Sequence, residues 1–113
     1  MKIVQKNDAN LFKDGEVFSS YEYDTKDKNI NIARIIIHGR VPETGTMRNK
    51  KVKEVLYVES GEGTVTSNGV SKEISQGDVI FYDKNEEVAW EGNLVLITAC
   101  SPAWSLDQHE KLP

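Results

Sequence analysis

An all-β fold, a closed barrel or jelly roll formed by a single domain spanning residues 1–113, is what this sequence predicts. Turn-forming pairs and clusters recur at close intervals, from Asp14-Gly15 through Pro42-Glu-Thr-Gly45, Asn68-Gly69 and Gln76-Gly77 to Gly92-Asn93. The runs between them are short and rich in β-branched and aromatic residues, the side chains that pack well on a pleated surface. About eight such strands on one short chain favour closure, because a closed sheet leaves no unpaired edge. At 113 residues the chain has room for one hydrophobic core without disulfide or metal staples, and not for two domains.

Taken in order, residues 7–13 fit one helical turn ahead of Asp14-Gly15. Strands are expected at residues 18–23, 30–37, 55–58, 63–66, 71–74, 79–82, 87–90 and 94–99. Asn68-Gly69 is the strongest hairpin signal, since both residues tolerate the positive φ of a two-residue type I′ turn. Ser60-Gly61 and Gly92-Asn93 read as further turns. Ser105-Leu-Asp-Gln108 fits a capping box over a short C-terminal helical turn.

Composition removes several function classes. The net charge is −4 with 28% charged residues, and the Lys-rich stretches at 26–28 and 49–53 are short, so no basic face is available for a nucleic-acid backbone. No apolar run approaches the ~18 residues needed to cross a bilayer. The N-terminus lacks the apolar segment of a signal peptide, and Cys100 has no partner for an internal disulfide; a cytoplasmic protein is expected. Nucleophile elbow, phosphate loop and dinucleotide fingerprint are all missing from the sequence. Cys100 closes the last long strand with no histidine near it in sequence, which suits a small buried hydrophobe better than a nucleophile.

Two motifs flank the Asn68-Gly69 hairpin: Glu54-Val-Leu-Tyr-Val-Glu-Ser-Gly61-Glu-Gly63, and Gly77-Asp78-Val-Ile-Phe-Tyr followed by Glu86-Glu-Val-Ala-Trp90-Glu-Gly92-Asn93. Together they resemble the paired motifs of the cupin superfamily. The resemblance implies a double-stranded β-helix, the jelly-roll barrel of that family, with its motif core at about residues 33–104. It also implies a His-x-His pair three or four residues before a Glu and a Gly seven residues after it, a spacing that Glu54 and Gly61 keep. The paired positions fall on Arg48 and Lys50 or, with the longer spacer, on Met47 and Asn49. Counted from Gly77, the second motif's histidine position falls on Val88. A transition metal needs three or four N, S or carboxylate donors converging at about 2.0–2.3 Å. At the matched positions only Glu54 is left, so neither metal nor cofactor is expected. Lys53-Glu54, Tyr57-Val58, Gly77-Asp78, Cys100-Ser-Pro-Ala-Trp104 and Gln108-His109 further resemble short bacterial cupins without the histidines. The Pro-Ala-containing aromatic tail is similar to that of the ethanolamine-utilisation type, which implies a role tied to a metabolic operon.

Strand alternation puts Glu54 on one face with Leu56 and Val58, and Val88 on one face with Trp90. A carboxylate among aliphatic neighbours is a candidate acid/base group, with Lys50, Arg48 or Arg34 as its compensating cation. It is equally a satisfied charge anchoring its strand. Trp90 either lines a pocket as an aromatic plate, suited to a sugar ring or a flat organic ligand, or fills the core. His38, at the end of an apolar strand, is the remaining candidate ligand contact; a metal set of His38, Glu54 and Glu91 has no recognisable ligand spacing. The candidate ligand-binding residues are therefore Arg48, Lys50, Glu54, Val88, Trp90 and His38, with Glu54 also the catalytic candidate. Two functions fit them: a metal-free module binding a small organic molecule such as a carbohydrate, or a cofactor-independent isomerase, epimerase or lyase in which Glu54 moves a proton. The aromatic segment around Val17-Phe18, Tyr21 and Tyr23 is more than one small barrel covers, and a homodimer is expected.

Overall fold

The computed structural model describes residues 1–113 and is built almost wholly of strand. Its strands are β1 (Asn10–Asp14), β2 (Phe18–Tyr23), β3 (Asn31–Val41), β4 (Thr46–Asn49), β5 (Lys53–Ser67), β6 (Val70–Ser75), β7 (Val79–Tyr82), β8 (Val88–Ser101) and β9 (His109–Leu112). All pair antiparallel in one curled sheet. The path β1-β2-β3-β8-β4-β9 runs along one edge of β8, and β5 lies along its other edge and carries β6 and β7 in turn. The expected all-β cupin-type architecture in a single small domain is the one observed, but as a curled sheet rather than a fully closed one, since β1, β6, β7 and β9 each pair with one neighbour only. No helix is long and apolar enough to cross a membrane.

Two strands that the sequence divides are continuous. β5 runs alongside β8 from Lys53↔Ser101 to Ser67↔Val88 with a register shift between Val58 and Ser60. Ser60-Gly61 and Gly92-Asn93 are therefore bends within ladders and not turns, a correction to the expected element list. Glycine at both places has one cause: the two backbones touch there. A Cβ on Gly61 (φ +91°) would lie 2.0 Å from the Asn93 carbonyl oxygen, and one on Gly92 2.6 Å from the Glu62 carbonyl oxygen. Asn68 (φ 49°) and Gly69 (φ 82°) make the expected tight hairpin between β5 and β6.

Two expectations fail at the ends, and two strands appear there that none foresaw. Residues 7–13 give a 3₁₀ turn at Lys6–Asp8 and then β1, whose pairing with β2, Phe12↔Ser20 among others, overrides local helix propensity. Ser105 is extended (φ −141°, ψ 149°) and its side chain caps nothing; only a 3₁₀ turn, Leu106–Gln108, follows. The short, polar β4 and β9 have no sequence signal and exist because they pair with each other, Asn49↔His109 through Thr46↔Leu112. The core, with Ile37, Leu56, Val58, Val88, Leu94 and Leu96 almost fully buried, comes from the inward alternation of β3, β5 and β8.

Candidate functional site

The inward faces enclose a cavity of about 330 Å³, within the range of small-molecule sites. Alternation decides its lining. β3 contributes Asn31, Ala33, Ile35 and Ile37, β5 Glu54 and Leu56, and β8 Trp90, Leu96, Thr98 and Cys100. β2 adds Phe18, Ser20 and Glu22, β7 adds Tyr82, and β9 adds His109 and Lys111. The wall from Ile35 and Ile37 across Leu56 and Leu96 to Trp90 is apolar, while the polar groups gather around Glu54.

Asn49, 2% exposed, organises that polar end. Its Oδ1 accepts from Trp104 Nε1–H at 3.2 Å, from Gln108 Nε2–H at 3.1 Å and from His109 at 3.0 Å. Indole N–H is a donor only, so this oxygen is the acceptor and Asn49 Nδ2 is the group that donates to Glu54 Oε1 at 2.8 Å. His109 must then carry its proton on Nδ1, which leaves the Nε2 lone pair free. Burial, followed by the charge of Lys111, holds the His109 pKa below the usual histidine value, so its neutral form prevails at pH 7.

Glu54, 7% exposed, accepts a second bond from Thr98 Oγ1 at 2.9 Å. The Thr98 hydroxyl is thereby committed as a donor, and Cys100 Sγ, 3.8 Å from it, supplies a thiol proton in turn. Burial and the nearby Glu54 push the pKa of the Tyr82 phenol well above its usual value and that of the Cys100 thiol above its own, so both stay protonated and neutral. Burial, helped by Asp24, also raises the pKa of Glu22. At the cavity's edge Lys111 Nζ bonds Asp14 Oδ2 at 2.6 Å.

Of the residues singled out in the sequence, Glu54 and Trp90 face this cavity and the others do not. Arg48 points outward and pairs with Glu110 at 3.4 Å, and Lys50 is exposed in the loop between β4 and β5. The inward pair is Met47 and Asn49, so the longer spacer is the one the fold uses. Val88 is buried in the core opposite Met47. His38 lies on the outer face of β3, its Nδ1 3.1 Å from Asn93 Oδ1, and shares no site with Glu54. Arg34 pairs outside with Glu59. Sequence reasoning did not single out Asn49, Tyr82, Thr98 or His109 as site residues. Parity along β8 from Trp90 points to Thr98, but the pairing that brings His109 to Asn49 spans the chain and leaves no local signal.

The donor set at the cupin metal positions, Met47, Asn49, Glu54 and Val88, offers one carboxylate, an amide already engaged, a thioether and a hydrocarbon. That set does not fit a transition metal. Nowhere does the structure group three or more His, Cys, Asp or Glu side chains able to hold one.

A sequence profile described as EutQ-like cupin domain matches residues 39–97. No curated protein sequence matches the chain. Among solved structures, a variant of Streptomyces Pac13 with uridine superimposes with a TM-score of 0.89 at 15% identity, over 100% of this chain and 92% of that one; Pac13 is described as a nucleoside dehydratase. Ectoine synthase from P. lautus gives 0.76 at 17% identity, covering 100% and 91% of the two chains. An RmlC-like cupin from Shewanella frigidimarina gives 0.71 at 21% identity, covering 86% of each. At such identities the likeness establishes the fold.

Proposed function

We propose that this chain, which belongs to the EutQ-like cupin domain family, is a metal-free small-molecule-binding cupin that seats an organic metabolite in its barrel. One observation carries this reading: a cavity of about 330 Å³ with an apolar aromatic wall at one side and a cluster of oriented polar groups at the other. Such a layout buries the body of a ligand while Glu54 and its neighbours fix its polar end. Ala33 lines the cavity with a small side chain, so Ala33→Phe fills the space. In a thermal-shift screen of small organic metabolites, saturating compounds should raise the melting temperature of the wild type; at a hundred times Kd the added stability is about 2.7 kcal/mol. The Ala33→Phe protein should lose these shifts. Equal shifts in both would place binding outside the barrel.

A second reading, a cofactor-independent isomerase, epimerase or lyase, gains support from the Asn49 amide, which bonds Glu54 and His109 at once. Two acid/base groups then face one cavity, with the Tyr82 hydroxyl near Glu54 in the stabilising role expected of Arg48 and Lys50. An enzyme of this class would exchange ligand C–H protons in D2O and lose that exchange in Glu54→Gln, whereas a pure binder would show none.

We also infer that two copies pair through the outer face of the sheet. Val55↔Phe81 and Tyr57↔Val79 are cross-strand neighbours between β5 and β7, and each of these side chains is 41–62% exposed. The apolar stripe continues over Ile97 and Ala99 to Ile32 and Tyr23. Exposed apolar patches of this extent mark association surfaces, and a stable dimer needs about 800 Å² per partner. Phe18, one of the aromatics first assigned to this role, lines the cavity instead. Sedimentation at micromolar concentration should give a dimer and, for Tyr57→Glu with Phe81→Glu, a monomer; a monomeric wild type would contradict the pairing.

A further inference from the structure

The cavity's charge inventory is one-sided. Its acids are Glu54, Glu22 and Asp14, and its bases are Lys111 and His109. Lys111 is taken by Asp14, and His109 spends its Nδ1 proton on Asn49. Every arginine of the chain is committed elsewhere: Arg34 to Glu59, Arg40 to the carbonyls of Pro42 and Gly45, and Arg48 to Glu110. Glu54 is thus a side chain 7% exposed, aimed into a cavity, that accepts bonds from the neutral donors Asn49 and Thr98, has the Tyr82 hydroxyl close by and faces no cation. Each carboxylate oxygen carries two acceptor sites, so beside these three donors the carboxylate still has capacity for a ligand donor. Trp90, Tyr82 and Trp104 present aromatic surface to the same space.

Building on the binding reading above, we infer that the cavity selects a positively charged organic amine or amidine on a compact apolar or aromatic body and rejects carboxylates and phosphates. The ammonium or amidinium group supplies the missing counter-charge to Glu54, and through it N–H donors for the unfilled lone pairs. Aromatic faces add attraction for the same cation. An anion in that place would lose its hydration beside Glu54 without any cationic partner. The raised pKa of Glu22 agrees with this, since a carboxyl beside a cation would shift the other way.

Benzylamine, benzyl alcohol and benzoate share one ring and differ in charge, and so separate the cavity from its charge preference. Saturation-transfer NMR and calorimetric titration at pH 7.5 should rank benzylamine above benzyl alcohol by at least about tenfold, with benzoate weakest, and all measurable binding should vanish in Ala33→Phe. Glu54→Gln keeps the shape and should abolish the amine preference, with benzylamine binding no tighter than benzyl alcohol to that variant; Glu22→Gln, outside the Asn49 network, should reduce the preference and serves if Glu54→Gln does not fold. Benzyl alcohol or benzoate binding as tightly as benzylamine, abolished by Ala33→Phe, would overturn the charge inference and leave the cavity as a binding site. No binding by any of the three, or binding unaffected by Ala33→Phe, would overturn both.

Discussion

Asn49→Leu is expected to cost about 3 kcal/mol or more of folding stability, the largest loss for any substitution at the polar end of the cavity. Leucine keeps the branched shape and the heavy-atom count, with bulkier methyl groups, and removes every bond at once. The Trp104 indole, the Gln108 amide and the His109 ring lose their common acceptor, and Glu54 loses one of its two donors. Each buried group left unpaired costs roughly 1–3 kcal/mol, more when it is charged, and grouped losses of this kind do not add simply. The same amide also ties β9 and the 3₁₀ turn at Leu106–Gln108 to β4, so the C-terminal segment should loosen with it. Urea denaturation would measure the loss, and amide exchange over residues 104–112 would locate it. A change under about 1 kcal/mol would mean that water replaces these bonds and that Asn49 is not their organiser.

Gly61→Ala is expected to be of similar severity for an unrelated reason. Gly61 has φ +91°, and the new methyl would meet the Asn93 carbonyl oxygen at 2.0 Å, with Asn93 C and Leu94 Cα at 3.0 and 3.2 Å. All three atoms belong to the backbone of β8, so relief requires parting the β5–β8 ladder at Gly61↔Leu94. A cost of at least about 3 kcal/mol is expected. Gly69→Ala is the control. Its φ is +82° and nothing lies within 4 Å, so only the left-handed backbone term of about 1–2 kcal/mol should appear. If the two variants melt alike, close approach of β5 and β8 is not what requires glycine.

These two residues also explain what could be read beforehand. Gly61, Gly77 and the Asn68-Gly69 pair stand at backbone positions with positive φ, and their spacing against Glu54 was enough to announce the barrel. The inward direction of Glu54 followed from the same register with Leu56 and Val58. Strand continuity through Gly61 and Gly92 was not legible, because a glycine at a backbone crossing and a glycine in a turn look alike in sequence. The choice between Arg48 with Lys50 and Met47 with Asn49 turned on one residue of loop length, and a shift of one residue reverses the face of every side chain. His109 was out of reach for a third reason. It enters the site only through the pairing of β4 with β9, two strands of four residues each whose union is a property of the assembled fold.

On the reading proposed above, the barrel interior between Glu54 and Trp90 is where this protein meets a small molecule. Side-chain NMR during titration with benzylamine tests it most directly, because the chain carries only two tryptophans and two histidines, each of them already placed. The Trp90 indole and His109 imidazole signals should shift and saturate together, while His38, on the outer face of β3, stays unmoved. Saturating shifts confined to His38 and the outer-face tyrosines, with Trp90 and His109 unchanged, would contradict it.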